Sequence, residues 1–170
     1  RERKGENIII ADIGTGSGCL AITAKLEFPN ATVMATEIND AALKIARKNA
    51  QKLVADIDFC KGNLLDPLLS SIYKLPTTIL ANLPYVPDDY AVNQAATHEP
   101  SLAIFGGQDG LDLYRTLFSQ LSTGSYGKPV VLTESLPFQH ETLTTIARSY
   151  GYSQTAEEDF IQMFCRQTDL

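Results

Sequence analysis

The chain has 170 residues, 44% of them hydrophobic and 20% charged, a size and balance suited to a single domain, residues 1–170, with one full core. Fourteen Lys and Arg stand against twenty Asp and Glu, and the net charge of −6, with no basic cluster interleaved with aromatics, weighs against a nucleic-acid substrate. No apolar stretch approaches the roughly 18 residues that span a bilayer, and no leader of basic then apolar residues opens the chain, so a cytoplasmic protein without membrane contact is expected.

Residues 1–6 are a short polar lead that reads as the remnant of a longer chain. Residues 7–13 are almost continuously apolar, as in a strand buried on both faces, and a glycine turn then precedes a helix over residues 19–27. A second strand is predicted at residues 31–37. Asn39 and Asp40 are suitable caps for the next helix, whose apolar positions Leu43, Ala46, Ala50 and Leu53 recur at helical spacing. A third strand follows at residues 57–61, then a short amphipathic stretch, then a fourth strand at residues 77–82 broken by Leu83-Pro84-Tyr85. Residues 86–110 form a long irregular region, a length that usually signals a loop folded over a binding site.

Residues 111–121 are expected to be helical, with Leu111, Tyr114, Leu117, Phe118 and Leu121 on one side. A fifth strand at residues 129–135 and a helix at residues 138–150, with Leu143, Ile146, Ala147 and Tyr150 on one face, come next. Residues 153–156 and 160–166 lie too close together for a helical crossover and should pair as an antiparallel hairpin. The alternation predicts an α/β, Rossmann-like, doubly wound and mainly parallel seven-stranded sheet, whose ligands bind beyond the carboxyl ends of the strands. Cys19, Cys60 and Cys165 are odd in number and widely spaced, with only two histidines to assist, so no disulfide framework or metal site is expected. All three read as small buried fillers.

Two constellations carry chemistry. Asp12-Ile13-Gly14-Thr15-Gly16-Ser17-Gly18 places glycines at alternate positions after a buried strand, so the backbone can turn sharply and approach a ligand. A dinucleotide fingerprint would be G-x-G-x-x-G, with its last glycine where Cys19 stands. Glu37 closes the second strand, where a carboxylate can accept hydrogen bonds from ribose hydroxyls. Together these favour an adenosyl ligand without phosphates, and S-adenosylmethionine fits: the turn amides and Asp12 suit its carboxylate and ammonium, while Asn63 and Leu64 are candidates for the adenine edge and face. Each feature alone is compatible with an ordinary tight turn or a solvated carboxylate, and a nicotinamide dinucleotide stays open as the other ligand.

The second constellation is Asn82-Leu83-Pro84-Tyr85 at the end of the fourth strand. An amide nitrogen is a poor nucleophile because its lone pair is delocalised, so a site that methylates one must hold its N–H groups with acceptors and aim it at the methyl carbon. The Asn82 side-chain oxygen and the Leu83 carbonyl are candidate acceptors. Pro84 extends Leu83, and the Tyr85 ring can lie against a flat substrate group. No general base is evident, which suits stabilisation by carbonyl oxygens and late proton loss. A proline-ended strand with an incidental Asn has the same letters.

These residues resemble the HemK/PrmC family of protein-glutamine methyltransferases, which modify the Gly-Gly-Gln glutamine of peptide-chain release factors in translation termination. Residues 12–18 are similar to the family's cofactor loop, Glu37 to its ribose carboxylate, Asn63-Leu64 to its adenine region and residues 82–85 to its Asn-Pro-Pro-Tyr clamp. The most specific match is His98-Glu99-Pro100-Ser101-Leu102-Ala103 followed by Gly106-Gly107-Gln108-Asp109-Gly110-Leu111-Asp112-Leu113-Tyr114-Arg115. Glu99 and Arg115 are readable as a buried ion pair shaping the acceptor pocket, with Pro100 beside them. The resemblance implies an S-adenosylmethionine-dependent enzyme acting on a release factor as protein partner. Leu83 in place of the family's proline, and Asn63 in place of its usual acid, are departures; so is the absence of the family's helical N-terminal domain. Leu83 makes the tetrapeptide more like that of adenine dimethyltransferases of ribosomal RNA, so methylation of an adenine amine, or cofactor binding without catalysis, are the competing readings.

Overall fold

Where the apolar run predicts a strand, Ile9–Ile13 forms β1 with all five residues buried. The structure is a computed structural model and describes residues 8–69, 75–90 and 103–167. The chain divides into two compact units, Arg1–Leu80 and Ala81–Leu170, with the boundary inside a strand.

In the first unit β1 is followed by α1 (Cys19–Glu27), β2 (Thr32–Glu37), α2 (Asp40–Lys52), β3 (Asp58–Lys61) and β4 (Thr78–Ala81). The strands lie in the order β3-β2-β1-β4 and all pair in parallel, as crossover helices require. Ile13 lies opposite Thr36, and Glu37 opposite Lys61, so the carboxyl ends of β1, β2 and β3 are level with one another. Ile10, Ala21, Ala24, Ala31, Val33 and Ala35 make one buried cluster, against which Ile57, Phe59 and Leu80 pack. The small alanines of α1 let the helix sit close on the sheet.

Helix α2 starts as the sequence predicts, with the Asn39 side chain accepting from the Ala41 and Ala42 N–H groups, a cap worth about 1 kcal/mol. Leu43, Ala46 and Ala50 are buried on its inner face. Leu53, expected there too, is 50% exposed, because it forms the C-cap and the chain leaves the helix axis at that point. Cys60 is buried, but Cys19 is exposed, contrary to expectation: it opens α1 directly after the glycine turn.

The second unit holds α3 (Asp112–Thr123), β5 (Val130–Glu134), α4 (His140–Ser149), β6 (Tyr152–Glu158) and β7 (Ile161–Arg166). Tyr114, Leu117, Phe118 and Leu121 of α3 are all 0% exposed, which is the face predicted from their spacing. Phe118 meets Tyr152 and Phe164 with ring centroids 5.4 Å apart in tilted and edge-on contacts, each worth about 1 kcal/mol beyond its buried area. β7 pairs antiparallel with both β5 and β6, and the predicted hairpin runs from Tyr152 opposite Arg166 to Glu158 opposite Ile161. The described residues thus contain the seven strands that the sequence predicts, parallel in one unit and antiparallel in the other.

Of the long region 86–110, residues 91–102 lie outside the described residues. Its two ends meet: Val86 bridges to Phe105, with the Val86 N–H on the Ile104 carbonyl at 3.0 Å and the Gly106 N–H on the Val86 carbonyl at 2.9 Å. Among the described residues no helix is long and apolar enough to cross a membrane.

Candidate functional site

In the first unit the glycine loop is tied to β2 from below and to Glu37 from the side. The Gly14 and Thr15 N–H groups both reach the Thr36 carbonyl at 2.9 Å, and the Gly16 N–H donates to Glu37 Oε2 at 2.9 Å. Glu37 Oε1 accepts the Asn39 N–H at 2.8 Å, and the residue is 8% exposed. Gly16 has a φ of 57°, and a Cβ placed on it would have nothing within 4 Å. The glycine is therefore needed for a left-handed turn and leaves open space above the loop, not for packing. Ser17, exposed, is held through its carbonyl by Asn49 Nδ2 at 2.9 Å, and Gly18 forms the left-handed N-cap of α1.

Asp12 is turned into this loop. It is 2% exposed, and Oδ2 accepts the Thr15 hydroxyl at 2.5 Å and the Ala21 N–H at 3.0 Å. Since Ala21 lies in the first turn of α1, the carboxylate does the work of a capping side chain that Gly18 lacks. Burial pushes the Asp12 carboxyl up to about 6, against the hydrogen bonds from Thr15 and Ala21, and the nearby Glu37 charge adds to the rise. Beyond Glu37, the Gly62 N–H bonds the Glu37 carbonyl at 3.1 Å, which brings the start of the Asn63-Leu64 turn to the same strand ends. Asn63 is exposed there. Leu64 is 6% exposed with a φ of 48°, a left-handed conformation unusual for leucine.

In the second unit, Asn82 follows β4 with its side chain exposed and without a hydrogen-bond partner among the described residues. The backbone around it is fixed. The Tyr114 hydroxyl lies 3.1 Å from the Ala81 carbonyl and accepts the Leu83 N–H at 3.3 Å, and it also bonds the Glu134 carbonyl. Leu83 itself is 2% exposed. The Tyr85 hydroxyl donates to Glu134 Oε1 at 2.9 Å; burial, followed by this carboxylate, pushes the phenol up to about 12. Gln139 closes the turn from behind, its Nε2 donating to the Tyr85 carbonyl at 2.8 Å and to the Asp109 carbonyl at 2.7 Å, while Oε1 accepts the Leu136 N–H at 2.8 Å.

The loop 106–110 packs directly on this turn. A Cβ on Gly106 would fall 2.3 Å from the Pro84 carbonyl oxygen, and one on Gly110, where φ is 78°, would fall 2.0 Å from that of Tyr85. The Gly-Gly-Gln-Asp-Gly segment is thus the mould for residues 84 and 85. Arg115 is 40% exposed and bonds Asp109 and Asp112, holding the Asp109 carboxyl below the usual carboxylate range. Its expected partner Glu99, and Pro100, lie outside the described residues.

Tyr114, Glu134 and Gln139 were not singled out as functional by the sequence. Tyr114 had a signal, since it lies in the segment 106–115 that carries the most specific family match; the spacing alone made it one more core position of α3.

A parallel sheet with a glycine loop after β1 and a buried acid at the end of β2 defines a class, and the chain belongs to the methyltransferase small domain family, which matches residues 2–99. Its fold is the Rossmann-like methyltransferase fold with an antiparallel C-terminal hairpin. Among curated proteins it is similar to the release factor glutamine methyltransferase of Bacillus anthracis, 36% identical over 132 residues that cover 76% of this chain and 46% of that protein. That of Deinococcus radiodurans is 34% identical over 159 residues, covering 92% of this chain and 56% of that protein. The chain spans about half the length of these relatives. Among solved structures, the N-terminal domain of human METTL16 in complex with SAH has the same fold, with a TM-score of 0.62 at 17% identity over 96% of this chain and 62% of that one.

Proposed function

We propose that this chain is the catalytic part of an S-adenosylmethionine-dependent methyltransferase that modifies the glutamine side-chain amide of the Gly-Gly-Gln motif in peptide-chain release factors, in the cytoplasm. The observation that carries the reading is the Asn82 turn: an exposed carboxamide on a backbone clamped from both sides, in a chain related over most of its length to release factor glutamine methyltransferases. Asp12 lies opposite Leu80 in the sheet register, two residues before Asn82 in the chain.

The residues of the first unit fit the cofactor. Gly16 leaves open space where a side chain would intrude, and Glu37 offers two oxygens that each accept a single backbone N–H and retain lone pairs for ribose hydroxyls. The charge of Glu37 also suits a sulfonium. When bound, S-adenosylmethionine supplies the electrophilic methyl group. Asp12 acts through the loop, by holding a turn whose Gly14, Thr15 and Gly16 N–H groups are themselves spent on Thr36 and Glu37. Asn63 and Leu64 are assigned to the adenine.

In the second unit, the Asn82 side-chain oxygen and the Leu83 carbonyl accept the two N–H groups of the acceptor amide and orient its nitrogen. Tyr85, its hydroxyl committed to Glu134, presents a fixed ring to the flat face of the amide. The two oxygens would stabilise positive charge that develops on the amide nitrogen as the methyl–sulfur bond of the cofactor breaks, with the proton lost afterwards to solvent. Arg115, which bonds Asp109 and Asp112, is assigned to the border of the acceptor; for Glu99 and Pro100 that role rests on the family resemblance alone.

Incubating the protein with methyl-labelled cofactor and a release factor tests this. Label on the Gly-Gly-Gln glutamine is expected, reduced about 10²- to 10³-fold in Asn82→Ala, the scale of losing one oriented polar group at a reacting centre. An unlabelled peptide, undiminished labelling by the variant, or transfer to RNA that the release factor does not compete away overturns it.

A further inference from the structure

Asn82 has a peptide plane on each side, and a single buried hydroxyl touches both. The Ala81 carbonyl belongs to the plane before Asn82 and the Leu83 N–H to the plane after it; Tyr114, 0% exposed on α3, lies 3.1 Å from the first and 3.3 Å from the second. A phenol oxygen has one proton to give and lone pairs to accept with. It therefore takes the Leu83 N–H while its proton is directed at the two carbonyls, of Ala81 and of Glu134 at the end of β5. Burial keeps this phenol protonated at any ordinary pH, so the arrangement does not switch.

Resting on the reading of residues 82–85 as the acceptor clamp, we propose that Tyr114 is a positioning residue: its hydroxyl fixes both peptide planes around Asn82 and so aims the Asn82 carboxamide. Leu83 is what makes this possible. A proline at that position fixes its own φ and has no N–H to tether. A leucine leaves φ free but supplies the N–H that Tyr114 receives. In this chain the hydrogen bond to α3 replaces the stiffness of a ring.

The experiment compares Tyr114→Phe with Tyr152→Phe, a second fully buried tyrosine of the same unit whose hydroxyl makes no hydrogen bond to the Asn82 turn. For Tyr114→Phe, kcat for release-factor methylation falls about tenfold or more. KM and cofactor affinity stay close to those of Tyr152→Phe, while the melting temperature falls further, because the Leu83 N–H and two carbonyls lose their partner. Adding Leu83→Pro to Tyr114→Phe recovers several-fold of the loss, because the N–H left unpaired is removed and φ is fixed again. Undiminished kcat, an equal loss in Tyr152→Phe, a loss carried by cofactor binding, or no recovery by the double variant overturns the proposal. Amide hydrogen exchange on the wild-type protein reads the tether without any catalysis: Leu83 exchanges slowly if Tyr114 holds it, and exchange as fast as in open loops defeats the inference even if the protein proves to methylate something else or Tyr114→Phe fails to fold. A wild-type protein that labels no release factor yet protects Leu83 refutes the function and keeps the tether.

Discussion

The two loops are braced by opposite means. Residues 14–18 hang on ionisable groups, with Asp12 inside the turn and Glu37 at its side. Residues 82–85 are set by neutral dipoles, the Tyr114 hydroxyl and the Gln139 amide, and by glycine backbone in direct contact. Among the described residues the carboxylate that bonds this turn, Glu134, is turned to a phenol. Charge in the first loop suits a cationic ligand and makes the loop answer to pH. Packing in the second suits a neutral amide and makes the turn answer to volume.

The sharpest way to break this contrast is to add the same methyl group to each loop. Gly110→Ala puts a carbon 2.0 Å from the Tyr85 carbonyl and 2.5 Å from Gln139 Nε2 at a φ of 78°, and denaturant unfolding should show a loss of about 3 kcal/mol. Gly16→Ala meets nothing within 4 Å and should cost about 1 kcal/mol, the left-handed penalty alone. Equal costs would erase the distinction.

The pH response is next in size. The Asp12 carboxyl is raised from 3.8 to about 6, so in that window the folded protein holds a proton that the unfolded chain has released. This group's contribution to stability is complete below pH 4, falls as pH rises towards 6, and stays lost above; a shift of this size is worth ~3 kcal/mol at most. Asp12→Asn keeps an acceptor for Thr15 and Ala21 and removes the titration. Unfolding free energies from pH 4 to 7 should therefore move in favour of the variant relative to wild type, and a constant difference would show that Asp12 does not titrate there. The last effect is on binding: Glu37→Ala should lose roughly 1.5 to 3 kcal/mol of S-adenosylmethionine affinity, the scale of charge-assisted hydrogen bonds, as read by calorimetry. Unchanged affinity would remove Glu37 from the ligand.

Local rules carried most of the fold. α1 occupies the residues that its pattern predicts, because glycine precedes it and Pro29 follows. Asn39 caps α2 as its side chain dictates, and the antiparallel hairpin follows from a connection too short for a helix. The glycine loop, Glu37 and the Asn82 tetrapeptide are contiguous in sequence or end a strand, so their chemistry shows in the letters. What holds the tetrapeptide does not. Tyr114 meets Leu83 across 31 positions and Gln139 meets Tyr85 across 54, distances over which spacing carries no signal. For the same reason Tyr114 read as a core residue, which it also is; Arg115 read as a partner of Glu99 instead, although Asp112 stands three positions before it on the same helix. Cys19 misled because a cysteine that is neither paired nor ligating is usually buried, whereas this one opens α1 directly after the glycine turn and is exposed.

Glu37 divides its two oxygens between Gly16 and Asn39, and Asn39 in turn caps α2. One carboxylate therefore couples the turn to the opening of α2, a helix whose Asn49 also holds the Ser17 carbonyl of the same turn. A ligand hydroxyl that bonds Glu37 would share its carboxylate with the N–H of Asn39, the residue that caps Ala41 and Ala42. On the proposed function, adding S-adenosylmethionine should therefore shift the amide resonances of Ala41 and Ala42.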